Sequence, residues 1–300
     1  MKKILLTTTA MVAFAGAAAA EVTISGSAEM GLVSGDRYGF GSDVQFHSDI
    51  DVRFTLSGET DNGLTFGATI DLDESGNMGA GTGNTFTSTA VFISGAFGTI
   101  TMGDTDGALD WAMQDVGMGS SLADDHTTHL AYMGNNFFDG AYGGQILRYD
   151  NTFGDFGVAL SAQIDDFGVG DTIWGIGVKY NAALGGVDLG LGIGFEDAGT
   201  ADEWGISVDA KFDGGFRAIL NYTDFSFGLT HTAIGVGYSS GAFGVSANWG
   251  EFDTGGGSFD SYGVQADYDL GGGAQVQFGY GSDVAIPGSD SWSLGLAMSF

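Results

Sequence analysis

The chain contains no cysteine and a single proline in 300 residues. Without cysteine there is no disulfide scaffold, no thiol nucleophile and no thiolate metal site. Basic residues are scarce too: 8 Lys+Arg stand against 38 Asp+Glu, a formal charge of −30. So negative a chain repels a phosphate backbone, which excludes nucleic acid as a partner. Beyond the N-terminus no apolar run reaches the ~20 residues that a membrane-spanning helix needs. Helix-rich α/β architectures are disfavoured, because 55 residues are glycine, and glycine is the poorest helix former after proline. These glycines follow no three-residue period, so collagen is excluded. What is present is 43% hydrophobic and 13% aromatic residues, too much apolar material for a disordered acidic tail.

The first twenty residues read as an address. Met1, Lys2 and Lys3 form a positive start, Ile4 to Phe14 is mostly apolar, and Ala17 to Ala20 supply the small residues of a cleavage site before Glu21. This is the pattern of a secretory signal peptide. The expected mature domain is 21–300, more acidic still once Lys2 and Lys3 are removed.

Period-two alternation then runs through the chain. In 44–56 one parity holds Val44, Phe46, Ile50, Val52, Phe54 and Leu56, and the other holds Gln45, His47, Asp49, Asp51 and Arg53. Side chains alternate faces along a strand, so this is one apolar face and one polar face. Similar segments start near 22, 44, 64, 87, 97, 144, 155, 172, 186, 203, 215, 230, 242, 260, 274 and 290. The period is least clear at 87, 97 and 144. Short turns such as Asp61-Asn62-Gly63 and Gly271-Gly272-Gly273 separate them and read as antiparallel hairpins. Longer acidic or glycine-rich loops are expected at 74–85, 196–202, 251–259 and 282–289.

The better alternations last nine to eleven residues, longer than the ~5–6 of a soluble sandwich and enough for a tilted strand to cross hydrocarbon. Backbone groups in a bilayer must all be paired, so such a sheet has to close. The expected fold is an all-β transmembrane antiparallel up-and-down barrel of roughly sixteen strands, apolar outside and wet inside. A β-solenoid would show a fixed short repeat, and none is found.

Several stretches resemble bacterial outer-membrane general porins, in particular the alphaproteobacterial branch. They are Glu21-Val22-Thr23-Ile24-Ser25-Gly26 after the leader, Arg53-Phe54-Thr55-Leu56-Ser57-Gly58-Glu59-Thr60-Asp61-Asn62-Gly63-Leu64, Val91-Phe92-Ile93-Ser94-Gly95-Ala96-Phe97-Gly98, Tyr268-Asp269-Leu270-Gly271-Gly272-Gly273-Ala274 and the terminal Phe300. The resemblance implies a homotrimer of sixteen-stranded barrels in outer-membrane lipid and lipopolysaccharide. It implies a third external loop folded inward as a constriction, and a terminal aromatic, here Phe300, read by the barrel-assembly machinery.

The longest non-strand stretch, about 104–143, stands where that inward loop is expected. It carries Asp104, Asp106, Asp110, Asp115, Asp124 and Asp125 and no Lys or Arg. Trp111, Met113, Met118 and Leu122 are candidates to pin it to the wall. Alternation puts His47, Asp49, Asp51, Arg53, Arg148, Lys179, Lys211 and Arg217 on the polar, lumen-facing parity. The wall therefore has cations, but too few for the dense arginine cluster the family usually sets opposite its acidic loop. A negative aqueous cleft concentrates cations and excludes anions, so weak cation selectivity is expected for passive diffusion of small hydrophilic solutes.

Two alternatives stay open: a sugar- or carboxylate-specific channel, and an outer-membrane barrel hydrolase. Against the hydrolase, the chain has no G-x-S-x-G and no H-E-x-x-H, and its histidines are His47, His126, His129 and His231. No cofactor is expected. Asp104-Thr105-Asp106-Gly107 offers hard oxygen ligands that make structural calcium conceivable there.

Overall fold

The computed structural model describes residues 21–35, 44–74, 85–118, 121–122, 138–142, 145–165, 167–283 and 290–300. Alternation organises it throughout. The strands are β1 (Glu21–Gly35), β2 (Val44–Glu59), β3 (Thr65–Glu74), β4 (Thr85–Gly95), β5 (Gly98–Gly103), β6 (Ile146–Phe153), β7 (Phe156–Gln163) and β8 (Ile173–Ala183). They continue as β9 (Val187–Asp197), β10 (Asp202–Phe212), β11 (Phe216–Phe225), β12 (Leu229–Ser240), β13 (Phe243–Asp253), β14 (Ser258–Gly271), β15 (Ala274–Asp283) and β16 (Ser291–Ser299). Every strand start lies within two residues of its sequence-based position. The strands over 196–202 and 251–259 run further than expected, leaving connections of only 198–201 and 254–257. A short helix, α1 (Ala108–Ala112), follows β5.

Each strand pairs antiparallel with its neighbours in sequence, and β1 pairs with β16, from Ser27↔Ser299 to Gly35↔Ser291, to close the barrel. Closure leaves no sheet edge, the condition for a β-structure to lie in hydrocarbon. One end carries tight turns. At 271–273 three consecutive glycines take φ of 80°, 68° and 88°, a left-handed path open to glycine and costly for a side chain. The other end carries the longer connections, the third of which is 104–145.

The apolar parity points outward. Phe46 is 92% exposed, and Ile24, Ile193, Leu160 and Val236 are at least half exposed. Aromatic residues bracket this band at two levels. Trp174 and Tyr180 on β8 enclose Ile176 and Val178, Phe216 and Tyr222 on β11 enclose Ala218 and Leu220, and Tyr262 and Tyr268 on β14 enclose Val264 and Ala266. Neighbouring rings touch across strands: Phe156–Tyr180 at 4.7 Å and Phe216–Tyr238 at 4.6 Å toward the turns, Trp204–Tyr222 at 5.6 Å toward the loops. Amphipathic rings prefer the two water–lipid interfaces, so two belts with aliphatic residues between them mark the thickness of a bilayer.

The buried hydrophobic core lies inside the barrel. Ala108, Leu109, Ala112, Met113, Val116, Met118 and Leu122 come from the third long connection, and strand residues such as Val33, Ile173, Phe225 and Phe252 are buried with them. Val116 and Met118 cluster with the inward-facing Ile219 and Ala233.

Candidate functional site: a loop-narrowed lumen

The third connection enters the barrel and follows its inner wall. Its footing is a track of glycines. A Cβ at Gly177 on β8 would strike the Ala108 carbonyl oxygen, one at Gly192 on β9 the Ala112 carbonyl oxygen, and one at Gly235 on β12 the Val116 carbonyl oxygen. Gly194 lies 2.7 Å from the Leu109 Cα by the same measure, and Gly205 lies 2.8 Å from the Met113 methyl. Leu122 reaches Gly31 on β1 and Gly295 on β16, so the segment crosses more than half of the ring. Strand glycines are usually weakening. Here Gly177, Gly192, Gly194 and Gly235 admit the backbone of a second layer, and Gly205, Gly31 and Gly295 admit its side chains.

Small polar residues on the same parity fix that backbone. Ser161 Oγ accepts from Ala108 N at 2.9 Å, and Ser207 Oγ accepts from Gln114 N at 3.0 Å. Asn221 Nδ2 donates to Gln114 O at 2.9 Å and Ser246 Oγ donates to Met118 O at 2.8 Å. A segment that forms no ladder must satisfy its N–H and C=O groups somewhere, and β7, β10, β11 and β13 supply the partners.

Both ends of the segment meet at one neck. Gly107 N donates to Asp139 Oδ2 at 2.6 Å, while Gln163 on β7 donates to Phe138 O and accepts from Gly140 N, both at 3.1 Å. Burial pushes the Asp139 carboxyl up to about 6, with Asp106 adding to the rise, against the Gly107 hydrogen bond and Arg148.

The basic wall side chains are each engaged. Arg53 clasps Asp71 through two bonds of 2.7 Å, and Arg217 clasps Asp209 through two of 2.9 Å, with Lys211 3.7 Å from the same carboxylate. Arg148 bonds Asp150 at 3.2 Å and the Asp106 carbonyl at 2.8 Å, and lies 3.7 Å from the Asp106 carboxylate. Lys179 Nζ sits 3.5 Å above the Trp111 ring, a cation–π contact. His47 faces Glu29 at 3.2 Å. In the ring of sixteen, β2 with Arg53 stands opposite β10 with Asp209 and Lys211.

A closed barrel with an apolar skin and an inward third connection is a specific architecture, and a family model described as Gram-negative porin matches residues 7–284. The chain belongs to the Gram-negative porin family. A porin of Rhodobacter capsulatus is 39% identical over 155 residues. That alignment covers 51% of this chain and 47% of the relative, so the match spans about half the length of that curated protein. Among solved structures, a porin refined at 1.8 Å superposes with a TM-score of 0.71 at 27% identity, over 93% of this chain and all of that one. A triple mutant of the Rhodopseudomonas blastica porin gives 0.69 at 21% identity with the same coverage, a likeness of fold.

In this porin Asp104, Asp106 and Asp115 are exposed on the inner segment and Asp110 is half-buried on α1. Asp124 and Asp125, with His126 and His129, lie outside the described residues. Asp49, Asp51 and Arg53 share the lumen side of β2, where Asp51 accepts from Ser27 Oγ at 3.0 Å. Among the described residues no group of three or more acidic or histidine side chains is arranged to hold a metal. His231 is buried against the Phe252 ring at 4.6 Å. Phe300 is 79% exposed, its N–H bonded to Gly26 O at 2.8 Å. Met113, Met118 and Leu122 are buried against the wall, whereas Trp111 is half-buried beneath Lys179.

Sequence reasoning missed the acids that hold the cations, Asp71, Asp150 and Asp209, and missed Asp139, Gln163, Ser161, Ser207, Asn221 and Ser246. Much of the space beside the glycine-rich inner face is filled by the inner segment. The available signal was Gly192 and Gly194 on one parity of β9 beside Gly175 and Gly177 on β8.

Proposed function

We propose that this chain is an outer-membrane diffusion pore for small hydrophilic solutes and ions, weakly selective for cations, that works as a homotrimer. The observation that carries the reading is the pairing of each wall cation with a carboxylate or a ring inside a lumen lined by further acids. Arg53, Arg148, Lys211 and Arg217 spend their charge on Asp71, Asp150, Asp106 and Asp209, so the remaining carboxylates set the sign of the potential. Aqueous passage between the inner segment and the facing wall then favours cations, and the preference fades as salt screens it.

In a planar bilayer under a KCl gradient, the reversal potential is expected to take the sign of a potassium-preferring pore and to shrink at higher ionic strength. Conductance steps are expected in threes. An anion-preferring reversal ends the charge argument, and a protein that never makes the bilayer conduct ends the channel reading.

Phe300 is proposed as the assembly signal. Its side chain is exposed and its backbone completes the β16–β1 seam, so removing the ring changes little folded-state packing. Phe300→Ala is expected to leave refolding in detergent near wild type while assembled barrel in the outer-membrane fraction falls. Equal losses in both assays would assign the residue to stability instead.

A further inference from the structure

Glu196 and Glu203 are a buried acid pair that passive diffusion does not use. They stand directly opposite each other on β9 and β10, on the lumen parity, at 1% and 0% exposure. The Phe138 backbone N–H approaches Glu203, yet none of the four carboxylate oxygens completes a hydrogen bond. Glu196 Oε1 lies against Gly107 and Gly175, 2.9 Å and 3.2 Å from where their Cβ atoms would be. The pair thus sits under the neck, where residue 107 enters the lumen and residues 138–140 leave it.

The charged groups around the pair are almost all acidic. The inner segment presents Asp139 and Asp110, with Asp106 beyond Asp139, and β6 presents Arg148, which acts on Asp139. From β7 and β8 come the neutral Ser161, Gln163, Ile173 and Gly175. Two buried carboxylates at this range cannot both stay ionised without a counter-charge. A divalent ion would require six or more oxygens, and the described residues include no group arranged to hold one.

We propose that Glu196 and Glu203 are positioning residues that hold the neck of the constriction segment to the wall as a protonated pair, so that the seating of the segment is proton-linked. The proposal rests on the channel reading above. Lifting the neck exposes the carboxyls to water, where they ionise, so the seated state binds more protons than the lifted one. Seating is therefore favoured at low pH and weakens as pH rises. Asp139 adds a step of the same sign: its contribution is full below its ordinary 3.8 and is lost as pH passes about 6.

Single trimers are to be recorded from about pH 5 to about pH 9. Open-channel noise in the wild type is expected to rise several-fold with pH. Glu196→Gln and Glu203→Gln mimic the protonated form and are expected to keep the early step owed to Asp139 while losing the later rise. Gln variants that follow the wild-type profile overturn the proposal. So does a chelator that reproduces the alkaline noise at fixed neutral pH, because a metal ion would then be holding the pair. A second readout needs no channel activity. Infrared spectra of the detergent-solubilised trimer at neutral pH are expected to show a protonated-carboxyl C=O band that the double Gln variant lacks. Absence of that band in the wild type overturns the proposal even where the protein fails to conduct.

Discussion

Valine at both Gly177 and Gly192 is expected to unseat the constriction segment and raise single-channel conductance. Both glycines lie on the lumen parity directly beneath carbonyl oxygens of the segment, Ala108 and Ala112. Backbone cannot step aside as a flexible side chain can. Overpacking costs about 1–3 kcal/mol per site, so the pair shifts the seated-to-lifted ratio by roughly 30- to 2 × 10⁴-fold. The strands themselves tolerate valine, a good β-former, so barrel formation should persist and heat-modifiable mobility should still report a folded trimer. Gly190→Ala is the control. It shares the parity and strand of Gly192, but its Cβ would meet only Asn181 Oδ1 at 3.4 Å and Asp209 Cβ at 3.6 Å, so conductance should match wild type. A G177V/G192V channel with unchanged conductance and solute cutoff would show that the segment does not limit the pore.

Arg217→Met is expected to be the most destabilising change of a lumen charge. Its partner Asp209 has a side chain only 6% exposed, and the two make a bidentate pair. Removing one member of such a pair leaves a carboxylate with little water to solvate it, a loss of about 2–5 kcal/mol. Lys211, 3.7 Å away, offsets part of it. The midpoint of thermal unfolding in detergent should fall markedly, and a second change, Asp209→Asn, should restore much of it. Arg53→Met tests the contrast. The Arg53–Asp71 bonds are as short, but the arginine is 59% exposed, and such pairs are worth about 0–1 kcal/mol. Equal midpoint losses for the two variants would show that burial does not decide the value of these pairs.

The strands were legible because their period is unambiguous. Even the weak alternations near 87, 97 and 144 became β4, β5 and β6, since neighbours on both sides supplied ladder partners. Strand ends were less clear. Glu196 looks like a loop residue from its charge, yet β9 runs through it because it faces inward, where a carboxylate is not in lipid. Glu251 instead lies on the outward parity two residues beyond Trp249, close to the loop end of β13. The candidate site was half legible. Parity gave the wall cations Arg53, Arg148, Lys179, Lys211 and Arg217, but parity cannot say which acid a cation meets across a strand. Arg53 chose Asp71 on β3 over Asp51 on its own strand.

Alternation by itself determined that this chain makes a sheet with an oily face and a wet face, because side-chain direction in a strand depends only on position parity. Closure followed from the need to pair every backbone group in hydrocarbon. Where the inner segment rests was decided only by tertiary structure. The Gly177, Gly192 and Gly235 contacts join strands that are distant in sequence from residues 108–116. A glycine's missing Cβ carries no local signal of what will fill the space. The burial of Glu196 and Glu203 is of the same kind, since two acids become neighbours without water only after the barrel has closed and the segment has covered them.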